Sequence, residues 1–330
     1  MPEHAMRFCS AAAGLLAAML GCAGPVLASP RLISLVFNSS VQSTQQSIAD
    51  GFRQRMLARR DTRIIVDERG GNAIGSEAAV LAATRAGAVD TSVLSGTVFS
   101  EVVPEFGVFN VPFLFRDPAH ARMVAEGPVG AAIAAKSAEK GLVLLAIGKQ
   151  GFRHMTNSKR PIRTPGDLKG LKIRLVPNEI DQMTFKALGA DVVTMDFPLV
   201  YGALKDGRID GQENPLISIV GTHFQDVQKY LSLTGHVFGL IVFIANREIF
   251  EQLAPADQAA LRAAATESAA ATWQDGEQLD VERLEQLRHG GMDIIEKVDR
   301  KAFIDALKPL DPEFERRFGK ETLELIRSTP

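Results

Sequence analysis

The chain has 330 residues, with 37 lysines and arginines against 39 aspartates and glutamates, and a net charge of −2 at pH 7. This balance argues against a nucleic-acid partner, and no run of about 18 apolar residues follows the N-terminal region to cross a membrane as a helix. Both cysteines, Cys9 and Cys22, lie in that N-terminal region, so the remaining ~300 residues must be stabilised by a hydrophobic core, for which their number suffices.

The chain begins with a sequence typical of a secretory signal. An apolar run at residues 11–20 is followed by small residues at Val26 and Ala28, which signal peptidase accepts before its cleavage site. We therefore expect residues 1–28 to be a signal peptide and the mature protein to be periplasmic. Lipoprotein processing at Cys22 is the alternative.

Strand and helix patterns alternate along the first half of the mature chain. The predicted strands cover residues 32–37, 63–67, 91–94 and 142–147. The predicted helices cover residues 41–60, 76–86, 118–125 and 128–140. This order predicts an α/β fold with a mostly parallel sheet that is covered on both faces.

A second series of the same kind begins near Gly151. Its predicted strands cover residues 171–176, 191–194 and 292–296. Its predicted helices cover residues 164–170, 179–188, 198–205, 255–289 and 312–328, of which the run 255–289 is interrupted only by Gly276. Two such series indicate two lobes, and ligands of open α/β sheets bind at the carboxyl ends of the strands, often between lobes.

Two arginines lie next to apolar, strand-like runs. Arg153 follows Gly151 and Phe152, and Arg174 lies within the predicted strand at residues 171–176. An arginine keeps its charge inside a fold and therefore requires an anion. That anion is either a ligand or, alternatively, an aspartate or glutamate of the protein at a sheet edge.

Other candidate residues have a structural alternative as well. Asn214, before Pro215 in a predicted turn, has the pattern of a helix N-cap, and a cap can also contact a ligand. Phe197 is either a core residue or part of a pocket. The spacing of Asp206 and Asp210 resembles a calcium loop, but the rest of that motif is missing.

No motif for catalysis, for a metal site or for a nucleotide cofactor is present. The sequence contains no Gly-x-Ser-x-Gly elbow, no His-Glu-x-x-His and no Walker loop, and its histidines are scattered. We expect neither a cofactor nor a metal, and we expect a protein that is not an enzyme.

The chain resembles the solute-binding proteins of tripartite ATP-independent periplasmic (TRAP) transporters, of the DctP type. The resemblance covers essentially the whole mature chain. The order and spacing of six segments carry it: residues 109–115 (FNVPFLF), 151–153 (GFR), 160–162 (RPI), 167–174 (DLKGLKIR), 187–190 (ALGA) and 210–215 (DGQENP).

The resemblance implies a two-lobed periplasmic binding protein fold, similar to type II, with a ligand cleft between the lobes and a long bracing helix. Lobe I is expected at residues 29–151 and about 236–276, and lobe II at residues 152–235 and about 277–330. The resemblance also assigns ligand contacts, which are Arg174 as the main carboxylate-binding residue, Arg153, Asn214, Phe197, Asn38 and Ser95. Ser95 stands where sialic-acid-binding members carry a glutamate, which counts against sialic acid.

We therefore expect a monomeric binding protein that captures a small organic acid and delivers it to the membrane permease subunits of a TRAP-type transporter. Two arginines favour a C4-dicarboxylate, and a keto or sugar acid is the nearest alternative. The same pocket could serve a ligand-binding partner of a membrane sensor kinase. An exported enzyme that acts on an acidic substrate, with Glu213, Asp210 or His236 as its acid or base, is the remaining alternative.

Overall fold

A computed structural model describes residues 30–38, 43–71, 75–274 and 277–330. Residues 31–330 form one compact unit. The expected signal peptide, residues 1–28, and the alternative lipidation at Cys22 lie outside the described residues. None of the helices among the described residues has the length and apolar composition that a membrane-spanning helix requires.

In the described part of the chain, ten strands form the central sheet. They are β1 (Arg31–Phe37), β2 (Ile64–Arg69), β3 (Thr91–Ser95), β4 (Leu142–Asn157), β5 (Lys172–Leu175), β6 (Asp191–Thr194), β7 (Gly211–Pro215), β8 (Tyr230–Ser232), β9 (Phe238–Asn246) and β10 (Asp293–Ile295). Their order is β2-β1-β3-β9-β4-β7-β5-β6, and β8 joins β10 to the other side of β4.

Helices cover the sheet. Those of the first half are α1 (Thr44–Ala58), α2 (Glu77–Arg85), α3 (Gly96–Phe99), α4 (Pro118–Glu126) and α5 (Pro128–Glu139). The later ones are α6 (Glu179–Ala187), α7 (Val200–Lys205), α8 (Leu216–Gly221), α9 (Arg247–Glu251), α10 (Pro255–Gln274), α11 (Glu277–His289), α12 (Arg300–Leu307), α13 (Asp311–Phe318) and α14 (Lys320–Ser328).

The long strand β4 divides the sheet into two regions. Its residues 142–152 pair with β9, whereas residues 153–157 pair with β7 and β8. We call β2, β1, β3, β9 and residues 142–152 region I, and β7, β5, β6, β8, β10 and residues 153–157 region II. The change of partners lies beside the predicted lobe boundary at residues 151 and 152, and the extents of the two lobes stay a prediction.

The centre of the sheet is antiparallel, so the prediction of a mostly parallel sheet is wrong there. The strands β1, β2 and β3 pair in parallel, as do β5, β6 and β7, but β9 is antiparallel to both β3 and β4. Strand β9, which the sequence interpretation missed, is buried along its whole length. Such a continuous apolar run suits a central strand that is covered on both faces, but it has no alternation to mark it.

Strand β4 also extends ten residues beyond its predicted end at residue 147. The sequence places Gly148 and Gly151 there, which suggested a break. The strand instead continues through a register shift between Lys149 and Gly151, where Gly151 adopts a φ of +108°. Glycine tolerates this conformation without the clash that a Cβ atom would cause, so the strand bends without ending.

Three predicted helices differ from the structure in their details. The segment after Thr164 is a short 3-10 turn, Pro165–Leu168. The predicted C-terminal helix is divided into α13 and α14 by Gly319, whose φ is +81°. The long helical run is described as α10 and α11, with residues 275–276 outside the description. Helix α10 packs on α1 and β4, whereas α11 packs on α8, the helix that follows β7 of region II.

Candidate functional site

A cavity of about 230 Å³ lies where the two regions of the sheet meet. All six residues that were predicted to contact a ligand line it: Asn38, Ser95, Arg153, Arg174, Phe197 and Asn214. They come from the carboxyl ends of β1, β3 and β5, from the part of β4 just beyond Gly151, from the turn after β6, and from β7. The topology therefore brings distant segments together, as expected for open α/β sheets.

Arg174 is the most buried charged residue of this cavity, with 1% of its surface exposed. Its Nε and Nη2 both donate to the backbone oxygen of Met195, at 2.9 and 2.6 Å. Its Nη1 has no hydrogen-bond partner among the described residues. The guanidinium also lies over the ring of Phe197, with 5.8 Å from Cζ to the ring centroid. Arg174 thus keeps a buried positive charge and one free donor at the cavity.

Burial lowers the pKa of Arg174 to about 10, and the nearby positive charge of Arg153 acts in the same direction. The side chain is still a cation at neutral pH. Without a ligand, a buried cation with an unused hydrogen-bond donor raises the free energy of the folded protein, because the group has lost its hydration and has gained only part of the hydrogen bonds that would replace it. The site is therefore well suited to an anion.

Arg153 has a protein partner, in contrast to Arg174. Its Nε and Nη2 lie 2.5 and 2.8 Å from the two carboxylate oxygens of Glu213, in a bidentate pair whose two side chains are almost completely buried. The same Nη2 also lies 3.2 Å from Asn214 Oδ1 and 3.0 Å from the backbone oxygen of Glu213, and Nη1 lies 3.4 Å from Gln150 Oε1. The alternative of a carboxylate partner is thus correct for Arg153.

Mutual attraction keeps both side chains of the Arg153–Glu213 pair ionised. Burial alone would favour a neutral Glu213, but the charge of Arg153 lowers the pKa of Glu213 to about 2. His236 places its Nε2 3.3 Å from Glu213 and its Nδ1 2.8 Å from Thr234 Oγ1. Burial lowers the pKa of His236, so its neutral form is favoured and the pair stays close to neutral overall.

Asn214 does not cap a helix, so that alternative is wrong. It lies in strand β7 opposite His154, and the following helix α8 begins after Pro215. The predicted turn at residues 211–215 is likewise a strand. Asn214 accepts from Arg153 and donates from Nδ2 to Gln212 Oε1 at 2.5 Å. It therefore orients Arg153 at the cavity wall.

Region I supplies the opposite wall of the cavity. Asn38 is buried at the end of β1, and its Nδ2 has no hydrogen-bond partner among the described residues. Glu77, the first residue of α2, accepts from the backbone N–H of Ser95 at 2.9 Å and from Gln45 Nε2 at 3.3 Å. Burial raises the pKa of Glu77, since these hydrogen bonds compensate only in part. This wall thus offers amides, a hydroxyl and the carboxyl group of Glu77.

Among the described residues, the sequence interpretation missed seven polar residues of the cavity: Ser43, Gln45, Glu77, Glu101, Gln150, Asp196 and Ser218. Glu77 follows Ser76, whose side chain caps α2, and an acidic residue in a first turn also suits the helix dipole. The sequence could have indicated Glu77 as a cavity residue, because it lies at the start of a helix that follows a strand. Such helix starts face the ligand-binding edge of an open sheet.

Among the described residues, no cluster of three or more histidines, cysteines, aspartates and glutamates could hold a metal ion. Asp210 of the rejected calcium loop lies elsewhere, where its carboxylate accepts from the backbone N–H of Lys172 at 2.9 Å.

Comparisons with known proteins identify the family of the chain. The family described as bacterial extracellular solute-binding protein, family 7 (DctP), matches residues 37–317. A solute-binding protein of Verminephrobacter eiseniae is 39% identical over 291 residues, which cover 88% of this chain and 87% of that protein. The 2,3-diketo-L-gulonate-binding periplasmic protein of Escherichia coli is 33% identical over 271 residues, or 82% and 83% of the two chains.

Solved structures extend the similarity to the fold. The crystal structure of a TRAP periplasmic solute-binding protein from Polaromonas sp. JS666, bound to D-erythronate, superimposes with a TM-score of 0.87 at 34% identity. The superposition covers 90% of this chain and 98% of that one. The chain therefore has the two-lobed α/β fold of these proteins.

Proposed function

Since the chain belongs to the bacterial extracellular solute-binding proteins of family 7, which bind organic acids for TRAP transport, we propose that it captures a small hydroxylated or keto monocarboxylate. Arg174 would bind the carboxylate, and the wall formed by Asn38, Gln45, Glu77 and Ser95 would bind the hydroxyl or carbonyl groups at the other end.

The free Nη1 of Arg174 is the observation that carries this proposal. It belongs to a buried cation whose other donors are held by a backbone oxygen. A carboxylate at this place would receive a charge-assisted hydrogen bond and offset the charge. The cavity volume of about 230 Å³ is below the ~300–1,000 Å³ of pockets for drug-sized ligands, which favours a small acid.

The charge balance of the cavity favours one carboxylate over two. The preference for a C4-dicarboxylate assumed two free arginines, but Arg153 is neutralised by Glu213. A second ligand carboxylate would also approach Glu77, which lines the same cavity. Like charges in a site of low dielectric repel strongly. A hydroxyl group at the same place could instead donate to the carboxyl oxygens of Glu77.

Two relatives are consistent with this ligand class. One is named for 2,3-diketo-L-gulonate and the other was crystallised with D-erythronate, and both compounds carry one carboxylate and several oxygen functions. A C4-dicarboxylate remains the competing candidate from the sequence. The expected place of action is the periplasm, with delivery to TRAP-type permease subunits and without catalysis of its own.

A thermal-shift screen with D-erythronate, 2,3-diketo-L-gulonate, L-malate and succinate tests the proposal. A ligand at about 100 times its dissociation constant stabilises the folded protein by roughly 2.7 kcal/mol. We expect the largest shift from one of the two monocarboxylates. Equal or larger shifts with succinate and L-malate would favour the dicarboxylate, and unchanged acids after long incubation would argue against an enzyme.

A further inference from the structure

Next to the cavity, buried polar side chains join the two regions of the sheet. Thr97 lies in α3, and Ser100 is the C-cap of this helix, which directly follows β3 of region I. Asn178 caps α6, which follows β5 of region II, and Asp181 lies in the first turn of that helix. Asn110 ends a 3-10 helix, Pro104–Asn110, that packs on α3 and β9. All five residues are buried.

Asn178 uses both ends of its amide group. Its Oδ1 accepts from the backbone N–H groups of Ile180 and Asp181, at 2.9 and 3.1 Å, and thereby caps α6. Its Nδ2 reaches across to Ser100 Oγ at 2.8 Å and to the backbone oxygen of Thr97 at 3.3 Å. The cap lies within region II, whereas the donor side connects region II to region I.

Asn110 makes the second connection. Its Nδ2 lies 3.0 Å from Thr97 Oγ1 and 3.1 and 3.3 Å from the two carboxylate oxygens of Asp181. The carboxylate of Asp181 thus meets a donor from the other region. We call Thr97, Ser100, Asn110, Asn178 and Asp181 the bridging network.

The bridging network lies a few residues from the cavity on both sides. Thr97 follows the cavity residue Ser95 by two positions, and Asn178 directly follows Pro177, which lines the cavity wall after Arg174. Asn178 itself does not line that cavity. A change in the spacing of α3 and α6 would therefore move both walls of the cavity without substituting a residue that lines it.

We propose that the bridging network holds the two regions together around a bound acid and thereby sets the rate of ligand release, with Asn178 as its positioning residue. This inference rests on the proposed function. Hydrogen bonds that form after the initial encounter act mainly on the dissociation rate, since they must break before the ligand can leave.

The charges around Asp181 support a role in closure. Arg153 on β4, Glu213 on β7 and Glu101 after α3 act on its carboxyl group. Burial, followed by repulsion from Glu213, raises the pKa of Asp181 to about 7. Glu101 follows α3 of region I, whereas Arg153 and Glu213 lie in region II, so the protonation of Asp181 is coupled to groups from both regions.

The variant Asn178→Asp tests the proposal because it separates the two functions of the amide. Aspartate caps helices as well as asparagine does, but it cannot donate to Thr97 and Ser100, and it adds repulsion next to Glu101. Stopped-flow measurements use D-erythronate, 2,3-diketo-L-gulonate, L-malate and succinate as probes. We expect the ligand to dissociate from the variant about ten-fold faster or more, because buried hydrogen bonds are lost. The association rate should change little. Asn178→Ser, which is neutral, should act in the same direction.

Asn246 provides a matched control. It caps α9 through Oδ1, and its Nδ2 donates to backbone oxygens of Thr84 and Arg85, but all these contacts stay within region I. Asn246→Asp should leave both rates within about two-fold. Release from both Asn178 variants within two-fold of wild type, or an equal effect of Asn246→Asp, would overturn the proposal. Failure of the wild type to bind any of the four acids would instead contradict the proposed function on which it rests.

Discussion

Arg174 and Arg153 show how two similar residues acquire different roles from their partners. Both are buried arginines at the cavity, yet Glu213 neutralises Arg153, while Arg174 donates to a backbone oxygen and its Nη1 has no hydrogen-bond partner in the described part of the chain. The sequence identified both positions. It could not distinguish them, because the glutamate partner lies sixty residues from Arg153 along the chain.

The geometry at Arg174 predicts that its charge alone is insufficient. Arg174→Lys should weaken binding of D-erythronate by about ten-fold or more, since lysine cannot contact the Met195 oxygen and a carboxylate with the same planar group. Calorimetric titration of the purified variant is the measurement. Wild-type affinity in the lysine variant would indicate that a point charge is enough.

Glu77 should control the choice between one and two carboxylates. In Glu77→Gln the repulsion of a second carboxylate is lost, while the hydrogen bonds from Ser95 and Gln45 can be kept by the amide oxygen. We expect succinate to gain about ten-fold in affinity relative to D-erythronate, or ~1.4 kcal/mol. Competition calorimetry measures the ratio, and Glu105→Gln, outside the cavity, is the control. An unchanged ratio would remove Glu77 from ligand selection.

At the scale of elements, the sequence was informative where amphipathic patterns and caps mark the boundaries. Most helices and the strands β1, β2, β3, β5, β6 and β10 lie within a few residues of their predicted positions. Strand β9 and the second half of β4 were not identified, because full burial removes alternation and because glycines usually signal a break. The antiparallel centre of the sheet follows from these two strands, so it was missed as well.

Gly151 should be essential to the path of β4. A Cβ atom there would meet no neighbour within 4 Å, so Gly151→Ala isolates the cost of the backbone conformation. We expect the free energy of unfolding to fall by about 1–2 kcal/mol. Gly202→Ala in α7 also meets no neighbour but lacks the positive φ, and it should increase stability by up to about 1 kcal/mol. Urea denaturation measures both, and equal effects would contradict the role of φ at Gly151.

At the scale of the whole molecule, the two regions of the sheet share β4 and several buried polar contacts. The candidate site was predictable because family resemblance places its residues at strand ends. The roles of Glu77 and the bridging network were not predictable from the sequence. Their hydrogen-bond partners come from segments far apart in sequence, which only the folded topology brings together.

Stability should depend on pH through Asp181. Burial raises its pKa from 3.8 to about 7, so the folded protein keeps a proton that the unfolded chain releases as the pH rises through this interval. The contribution of Asp181 to stability therefore becomes less favourable from about pH 4 to pH 7 and remains so above it. Asp181→Asn should gain about 1–3 kcal/mol over wild type at pH 8 and much less at pH 5.

The difference between variant and wild type isolates this effect. Burial lowers the pKa values of His154 and His236, which act in the opposite direction below about pH 6.5, but they are common to both proteins. Urea denaturation at several pH values gives the difference, with Asp191→Asn at the exposed start of β6 as the control. A difference that does not rise with pH would contradict the assignment to Asp181.

The central claim is that Arg174 binds the carboxylate of a small organic acid, and a calorimetric titration of wild type and Arg174→Ala tests it most directly. With the acid that gives the largest thermal shift, we expect the alanine variant to lose about 3–5 kcal/mol of binding free energy, or on the order of a hundred- to several-thousand-fold in affinity. Its unfolding temperature should not fall, because the substitution also removes a buried charge without a carboxylate partner. An affinity within about three-fold of wild type, less than 1 kcal/mol, would contradict the claim.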